Sequence, residues 1–445
     1  MLLDAPALGA VSRRIRKAFT AVFRREAEAK LRESIHSSLT KREVGVYVHF
    51  PFCKSLCPGC PYFREIAEEE RVQEYLSALR AEIGMVGGLL KDLDLKISDV
   101  HVGGGTPSLI GGGWGEIRQA FQENFEVAED CPFGIEANPN DLTEERAHSL
   151  AEAGVNKISI GVQSFFRPNL KILGRNHGPE NSLEAIENCR RAGLSFINID
   201  MMYLLPRQSI EEWIHDLRLA AEQGVDQITC YPLLVPRYTR LHELMLEGRV
   251  PQQPDLKTFQ RMYYAAIEVL GGEGYSPLRY YSFGKGREEY STVEREMVGP
   301  LLGFGSGAIG FTGGYEYVNT CSVQEYIRRL KAGKMPIAGG REVTKEERVV
   351  RYVSERLGTL RLRIDELERE FGEPFYSLMK RSGYGSALRM GLLLGNLKRE
   401  GGEIRVTDKG MWQRNLGGWA FVLLVPCRIV EEYLKTPWPL EVKVP

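Results

Sequence analysis

The sequence predicts an α/β fold: a partial, open (β/α)6 TIM-like barrel with an N-terminal helical extension and a small C-terminal helical, winged-helix-like domain. Three observations predict it. From Val44 onward, short β-rich runs alternate with helical patterns, the signature of βα units around a parallel sheet. Three helical stretches end in a glycine before the next strand, at Gly154, Gly193 and Gly224, as a left-handed helix cap requires. Six such strands are too few to close an eight-stranded barrel, so the sheet is expected to stay open.

The elements follow in order. Residues 1–43 read as a leader, in which "SRRIRKAFTAVFRREAEAKLRESI" sets Ile15, Phe19, Val22 and Phe23 at helical spacing among arginines. The plain reading is a helix docked on the domain with a solvated basic face; peripheral contact with a membrane surface is the alternative. Glu26, Glu28 and Glu33 break the acid-poor pattern of a mitochondrial presequence. Residues 44–336 hold the barrel and a connecting segment. Its strands are "VGVYVHF", "KISDVHVGG", "FGIEAN", "NKISIGV", "FINIDMMY" and "VDQITCYPL". Between them lie helical patterns such as "ERVQEYLSALRAEIGMVGGLL", "TEERAHSLAEAG", "PENSLEAIENCRRAG" and "SIEEWIHDLRLAAEQG". From about Leu241 to Pro336 the chain reads as Gly-rich, aromatic connections, "LLGFGSGAIGFTGG" among them. Residues 337–445 form the small domain, with helices and a hairpin at "GEIRVTDKG".

Composition narrows the function. With 58 basic and 59 acidic residues the net charge is -1, which gives no footprint for a nucleic-acid partner, so a charged substrate must be met locally. Eight cysteines without a cleavable signal point to a reducing, cytoplasmic setting rather than a disulfide framework. The longest apolar candidate, "WAFVLLVP", has the length of a buried strand or short helix, and no membrane span is expected.

The chemistry concentrates in "VHFPFCKSLCPGCPYF", which sets Cys53, Cys57 and Cys60 at C-x3-C-x2-C directly after the first strand. A zinc site completed by a distant His or Cys is one reading, although no second C-x2-C or H-x3-H cluster exists to complete it. The other is an iron-sulfur cluster with three thiolate ligands and one iron left open to bind a small molecule and pass it an electron. Pro51, Pro58 and Pro61 stiffen this loop, and Gly59 permits a tight turn between the last two thiols.

Further along, Gly103, Gly104 and Gly105 follow the second strand, with Thr106 behind them, where bare backbone can approach a ligand's amino and carboxylate groups. Glu136, Gln163 and Asp200 each fall near the C-terminal end of a predicted strand, the face on which parallel barrels build their sites. Arg175 is available for a carboxylate. Tyr47 and His49 alternate with Val48, so both side chains point to one face.

Taken together these strings resemble the radical S-adenosylmethionine (SAM) enzymes, whose hallmark is this cysteine spacing. More narrowly, "YVHFPFC" from Tyr47 is similar to the start of the oxygen-independent coproporphyrinogen III oxidase family and its relatives. "HVGGGTPSLI", "IEANPNDLT", "ISIGVQSF", "LGRNH" and "INIDMMYLLPRQS" recur in that family's order, so the resemblance runs from about Val44 to Gly418. It implies a 4Fe-4S cluster on Cys53, Cys57 and Cys60, and one or two SAM molecules. It implies SAM contacts from Gly103, Gly104, Gly105, Thr106, Glu136, Gln163, Arg175 and Asp200, with Tyr47 and His49 on the catalytic side. An electron donor such as flavodoxin or ferredoxin is the implied protein partner.

The resemblance also has departures. The coproporphyrinogen oxidases carry a fourth cysteine two residues after the third ligand, and here that position is Tyr62, which speaks against decarboxylation of coproporphyrinogen III in heme biosynthesis. The family's heme chaperones carry a His-Asn, Tyr-Trp string ahead of a Gly-rich segment, whereas this chain has "EEYSTVEREMVGPL", without His or Trp. By elimination the reading falls on C-methylation of a planar unsaturated small molecule, such as a quinone, heterocycle or tetrapyrrole, on which Tyr280, Tyr281, Phe283 and Tyr290 would stack. Were the acceptor a lipid quinone, the basic leader would gain a use at the membrane surface. A non-catalytic heme-binding chaperone or carrier is the remaining alternative.

Overall fold

Six strands run parallel and lie side by side in chain order: β1 (Glu43–Phe50), β2 (Lys96–Gly104), β3 (Phe133–Ala137), β4 (Lys157–Gln163), β5 (Phe196–Tyr203) and β6 (Gln227–Pro232). The computed structural model describes residues 21–39, 41–286, 289–290, 298–433 and 435–444. Within this set each strand pairs in parallel with its neighbour in sequence, so every C-terminal strand end opens on the same side. At the β6 edge Ser282–Gly284 adds antiparallel. At the β1 edge the sheet continues through β7 (Leu301–Phe304), parallel to β1, then antiparallel through β8 (Ile309–Phe311), β9 (Tyr315–Asn319) and β10 (Ile337–Glu342). The two edges do not meet, and the barrel is open as expected.

The local reasons are visible in the sequence. Thr143 accepts a hydrogen bond from the Arg146 amide at the start of the helix Glu144–Glu152, and Ser209 with Glu212 makes a reciprocal capping box on Ile210–Glu222. Gly154, Gly193 and Gly224 end their helices at φ of 89°, 79° and 64°. The first strand is buried on both faces over most of its length, as a sheet covered by helices requires. One helix, Trp114–Asn124, has no counterpart in the sequence reading, because the glycines of "IGGGWG" obscure its start.

Two expectations are corrected. Of the leader's apolar positions, Ile15 and Phe19 lie outside the described residues, while Val22 and Phe23 sit in a strand, Ala21–Arg24, rather than a helix. That strand pairs antiparallel with Glu441–Val444, and Phe23 is buried beside Val318, Ile429 and Val442; long-range pairing overrides the local period. The helix of this region is Glu28–Ser38. The Gly-rich stretch read as connections forms β7 and β8 instead. A Cβ at Gly303 would stand 2.4 Å from the Ile309 carbonyl oxygen, so the tight hairpin needs the residue that hides it from a propensity reading.

Helices Lys345–Gly358, Ile364–Phe371 and Phe375–Ser382 and a three-stranded sheet enclose a second apolar core of Val349, Val353, Leu357, Leu362, Leu367 and Ile404, separate from the main one. The helix Asp408–Tyr433, which contains "WAFVLLVP", returns to the barrel, where Trp412 packs 5.0 Å from Phe259. Buried Arg279 joins the two cores. It donates to Glu289 at 2.5 Å and to Glu355 of the helix Lys345–Gly358 at 2.6 Å. Among the described residues no helix is long and apolar enough to cross a membrane.

Candidate active site

The parallel register lines up the inward positions. On β1, the Tyr47 hydroxyl lies 3.0 Å from His49 Nδ1, and His49 Nε2 lies 3.1 Å from the Phe63 carbonyl, so the alternate residues do share a face. Tyr47 also stacks on His101, its β2 neighbour, with ring centroids 6.0 Å apart. At the end of β2, Gly104 takes φ of 113° and its amide donates to Glu136 Oε2 at 3.2 Å. A Cβ there would fall 2.7 Å from the His49 ring, and one at Gly103 would fall 2.9 Å from Glu136 Oε1. Side chains at these two positions would displace the groups that line the chamber.

On β4 and β5 the lining is polar throughout. Asp200 accepts from Ser159 Oγ at 3.1 Å and from Asn198 Nδ2 at 2.9 Å, and Thr229 Oγ1 donates to Asn198 Oδ1 at 2.8 Å. Burial pushes the Asp200 carboxyl up to about 7, with the nearby Glu136 charge adding to the rise. Gln163 follows a break in the β4 register and has φ of 70°, rare for a long side chain. Its Oε1 is buried with no partner among the described residues. Arg175 donates to the Gly161 carbonyl at 3.1 Å, and a Cβ on Gly161 would meet both Arg175 and Gln163, so these two side chains share one spot. The turn beyond Gln163 is held from outside by Asp216, which accepts from Ser164 Oγ and the Phe165 amide, each at 2.7 Å.

Cys53, Cys57 and Cys60 sit on the loop that leaves β1 over these strand ends. Burial pushes the Cys53 thiol up to about 11, and the other two thiols add to that rise; Thr106 Oγ1, which donates to Cys53 Sγ at 3.3 Å, opposes it. Burial likewise raises Cys60. Arg64 braces the loop from within, donating to the Cys57 carbonyl at 2.6 Å and the Tyr62 carbonyl at 2.9 Å. From outside, the Leu241 amide donates to the Pro58 carbonyl at 2.9 Å and Tyr238 to the Pro61 carbonyl at 2.6 Å. Among the described residues no three or more His, Cys, Asp or Glu side chains are arranged to hold a metal ion, the three thiols included. Three cysteines in one loop, with the Thr106 hydroxyl donating to the Cys53 sulfur, are the sulfur donors that a polynuclear iron-sulfur centre takes.

The structure thus places Tyr47, His49, Gly103, Gly104, Glu136, Gln163 and Asp200 at the C-terminal ends of neighbouring strands, with Arg175 beside Gln163 and Thr106 beside Cys53. Gly105 packs on the end of β1 instead: its amide donates to the Phe50 carbonyl at 2.7 Å, and a Cβ there would stand 2.5 Å from the Phe52 carbonyl oxygen. The structure does not gather the four aromatics. Tyr280 and Phe283 belong to the main core, at 6% and 1% exposure, while Tyr281 stacks on Tyr231 and Tyr290 sets its ring 4.8 Å from His101. The sequence reading missed His101, Ser159, Asn198 and Thr229. Their signal was the two-residue period backward from Gly103, Gly161 and Asp200 and forward from Gln227.

Residues 47–220 match the model of the radical SAM superfamily. The heme chaperone HemW of Bacillus subtilis (strain 168) is 30% identical over 68% of this chain and 80% of its own length. The chain belongs to the radical SAM superfamily. The oxygen-independent coproporphyrinogen III oxidase of Paracoccus denitrificans (strain Pd 1222) is another similar protein, 27% identical over 76% of this radical SAM chain and 78% of the relative. In fold, the chain superposes on the coproporphyrinogen III oxidase HemN of Escherichia coli with a TM-score of 0.76, at 22% identity, covering 90% of this chain and 94% of that one. Membership in the radical SAM superfamily implies a 4Fe-4S cluster and SAM.

Proposed function

We propose that this chain is a radical SAM enzyme acting on a planar, tetrapyrrole-like small molecule by hydrogen-atom abstraction. The observation that carries the reading is the polar set at the strand ends, Glu136, Asp200 and Gln163 with its unpartnered Oε1, on the side of the sheet where the three-cysteine loop leaves the first strand. A pure carrier has no use for that set. The similar proteins, a heme chaperone and a coproporphyrinogen III oxidase, support the substrate class.

Cys53, Cys57 and Cys60 would hold the cluster. When bound, cluster and SAM supply one-electron cleavage of the sulfonium C–S bond, to methionine and a 5'-deoxyadenosyl radical that takes a hydrogen atom from the substrate, with the electron coming from an external flavodoxin-like or ferredoxin-like carrier. The chain's own work is placement. The backbone at Gly103 and Gly104 and the carboxylate of Glu136 suit an ammonium group, Arg175 a carboxylate, and Gln163 and Asp200 ribose hydroxyls. Burial leaves Asp200 able to donate as well as accept near neutral pH.

C-methylation of a planar acceptor, with a second SAM, is the second reading. Tyr62 in place of a fourth cysteine favours it, while the relatives named above include no methyltransferase. Anaerobic reconstitution with iron and sulfide, followed by SAM, a strong reductant and candidate tetrapyrroles, separates the two. 5'-Deoxyadenosine formed in step with substrate loss is expected; S-adenosylhomocysteine appearing alongside it would move the assignment to methyl transfer. An intact cluster that never cleaves SAM but retains heme would sink both. Replacing Cys57 by Ala is expected to abolish the 4Fe-4S absorbance and EPR signal.

A further inference from the structure

We propose that Arg64 sets the reduction potential of the centre held by Cys53, Cys57 and Cys60, acting as a fixed positive charge and N–H donor inside the ligand loop. The inference rests on the cluster reading above and assigns a role to a residue outside the SAM-contact set.

Arg64 lies four residues beyond Cys60, in "CPYFRE". Its two terminal nitrogens are spoken for: one donates to the Tyr62 carbonyl at 2.9 Å and the other to the Cys57 carbonyl at 2.6 Å. These bonds fix the plane of the guanidinium against the loop, as a rigid fork does and a flexible ammonium does not. The third nitrogen, Nε, is buried and has no partner among the described residues. A buried donor without an acceptor is costly, and this one stays available to an acceptor atom within the loop. The bond to the Cys57 carbonyl places the cation on the backbone of a ligand residue, inside the loop that carries all three thiols. The carboxylate next along the chain, Glu65, is paired with Arg71 at 3.0 Å.

The electrostatic consequence has a definite sign. Three thiolates on the cluster leave an anionic centre, and the incoming electron adds one more negative charge. A cation fixed beside it in a partly buried loop stabilises the reduced form more than the oxidised form, which raises the potential and makes reduction easier for an ordinary carrier. Hydrogen bonding from an N–H to the sulfurs acts in the same direction.

The test is an EPR-monitored redox titration of reconstituted protein without SAM, with iron and sulfide content measured on each sample. R64Q is expected to become harder to reduce by about tenfold in the equilibrium, which is about 59 mV for a one-electron couple. R64K keeps the charge but cannot bridge both carbonyls, and is expected to hold the wild-type potential. R64Q that fails to hold a cluster would make Arg64 an assembly residue rather than one that sets the potential, and would overturn the proposal. An unchanged potential in R64Q, or an R64K protein that shifts as far as R64Q or loses its cluster, would reduce Arg64 to a structural brace and overturn the proposal. A wild-type protein that assembles no cluster would instead remove the reading on which it rests.

Discussion

At the scale of single residues, the candidate site depends on side chains that never touch a ligand. Asp216 anchors the turn after Gln163, and burial pushes its carboxyl up to about 7. A folded-state value above the unfolded one, about 3.9, means that the folded protein holds the extra proton between the two, so stability falls as pH rises through that window. Asp216→Asn removes this dependence. Its stability deficit against wild type is expected to shrink between pH 5 and pH 8 in urea unfolding, and a deficit that stays constant or grows would show that Asp216 is ionised without penalty in the fold. What the sequence made legible was placement: the three cysteines directly after the first strand, and Glu136 and Asp200 toward the ends of theirs. Ser159, Asn198 and Thr229 were illegible because short polar residues inside a strand look like solvent-facing positions until the neighbouring strands show that the face is a chamber.

Among elements, strands and their capped helices were read nearly to the residue. β2 and β5 coincide with "KISDVHVGG" and "FINIDMMY", because period and propensity agree there with tertiary demand. What failed were elements made by contacts distant in sequence: the strand Ala21–Arg24, which exists through its pairing with Glu441–Val444, and the glycine-bearing β7 and β8. The cysteine loop is likewise shaped from a distance. Gly174, at φ of 69°, passes so close to Pro58 that a Cβ would stand 2.4 Å from the proline Cδ. Gly174→Ala is expected to lower iron incorporation per chain severalfold. Gly193→Ala, at φ of 79° with open space around its Cβ, carries only the backbone strain, about 1 kcal/mol, and should incorporate iron normally. Equal iron content in the two variants would show that the loop tolerates the collision.

For the molecule as a whole, the buried Arg279 ties the barrel to the small C-terminal unit, with its Glu355 partner only 3% exposed. Glu355→Ala leaves a buried cation half-paired, and the expected loss is about 3–5 kcal/mol in denaturant unfolding; a loss below about 1 kcal/mol would mean that water or Glu289 takes over the charge. Because Glu289 precedes Tyr290, whose ring meets His101 in the chamber, the same variant should also perturb the site. The strand order has a further effect, on synthesis. The edge of β1, the strand that leads into the loop bearing Cys53, Cys57 and Cys60, is covered only when β7 pairs with it, roughly 240 residues after the last of these three cysteines has been made. At about 5–20 residues per second that is about 10–50 s on the ribosome. During that interval β1 keeps an unpaired edge beside the cysteine loop, so the surroundings of the three thiols are completed late in the making of the chain.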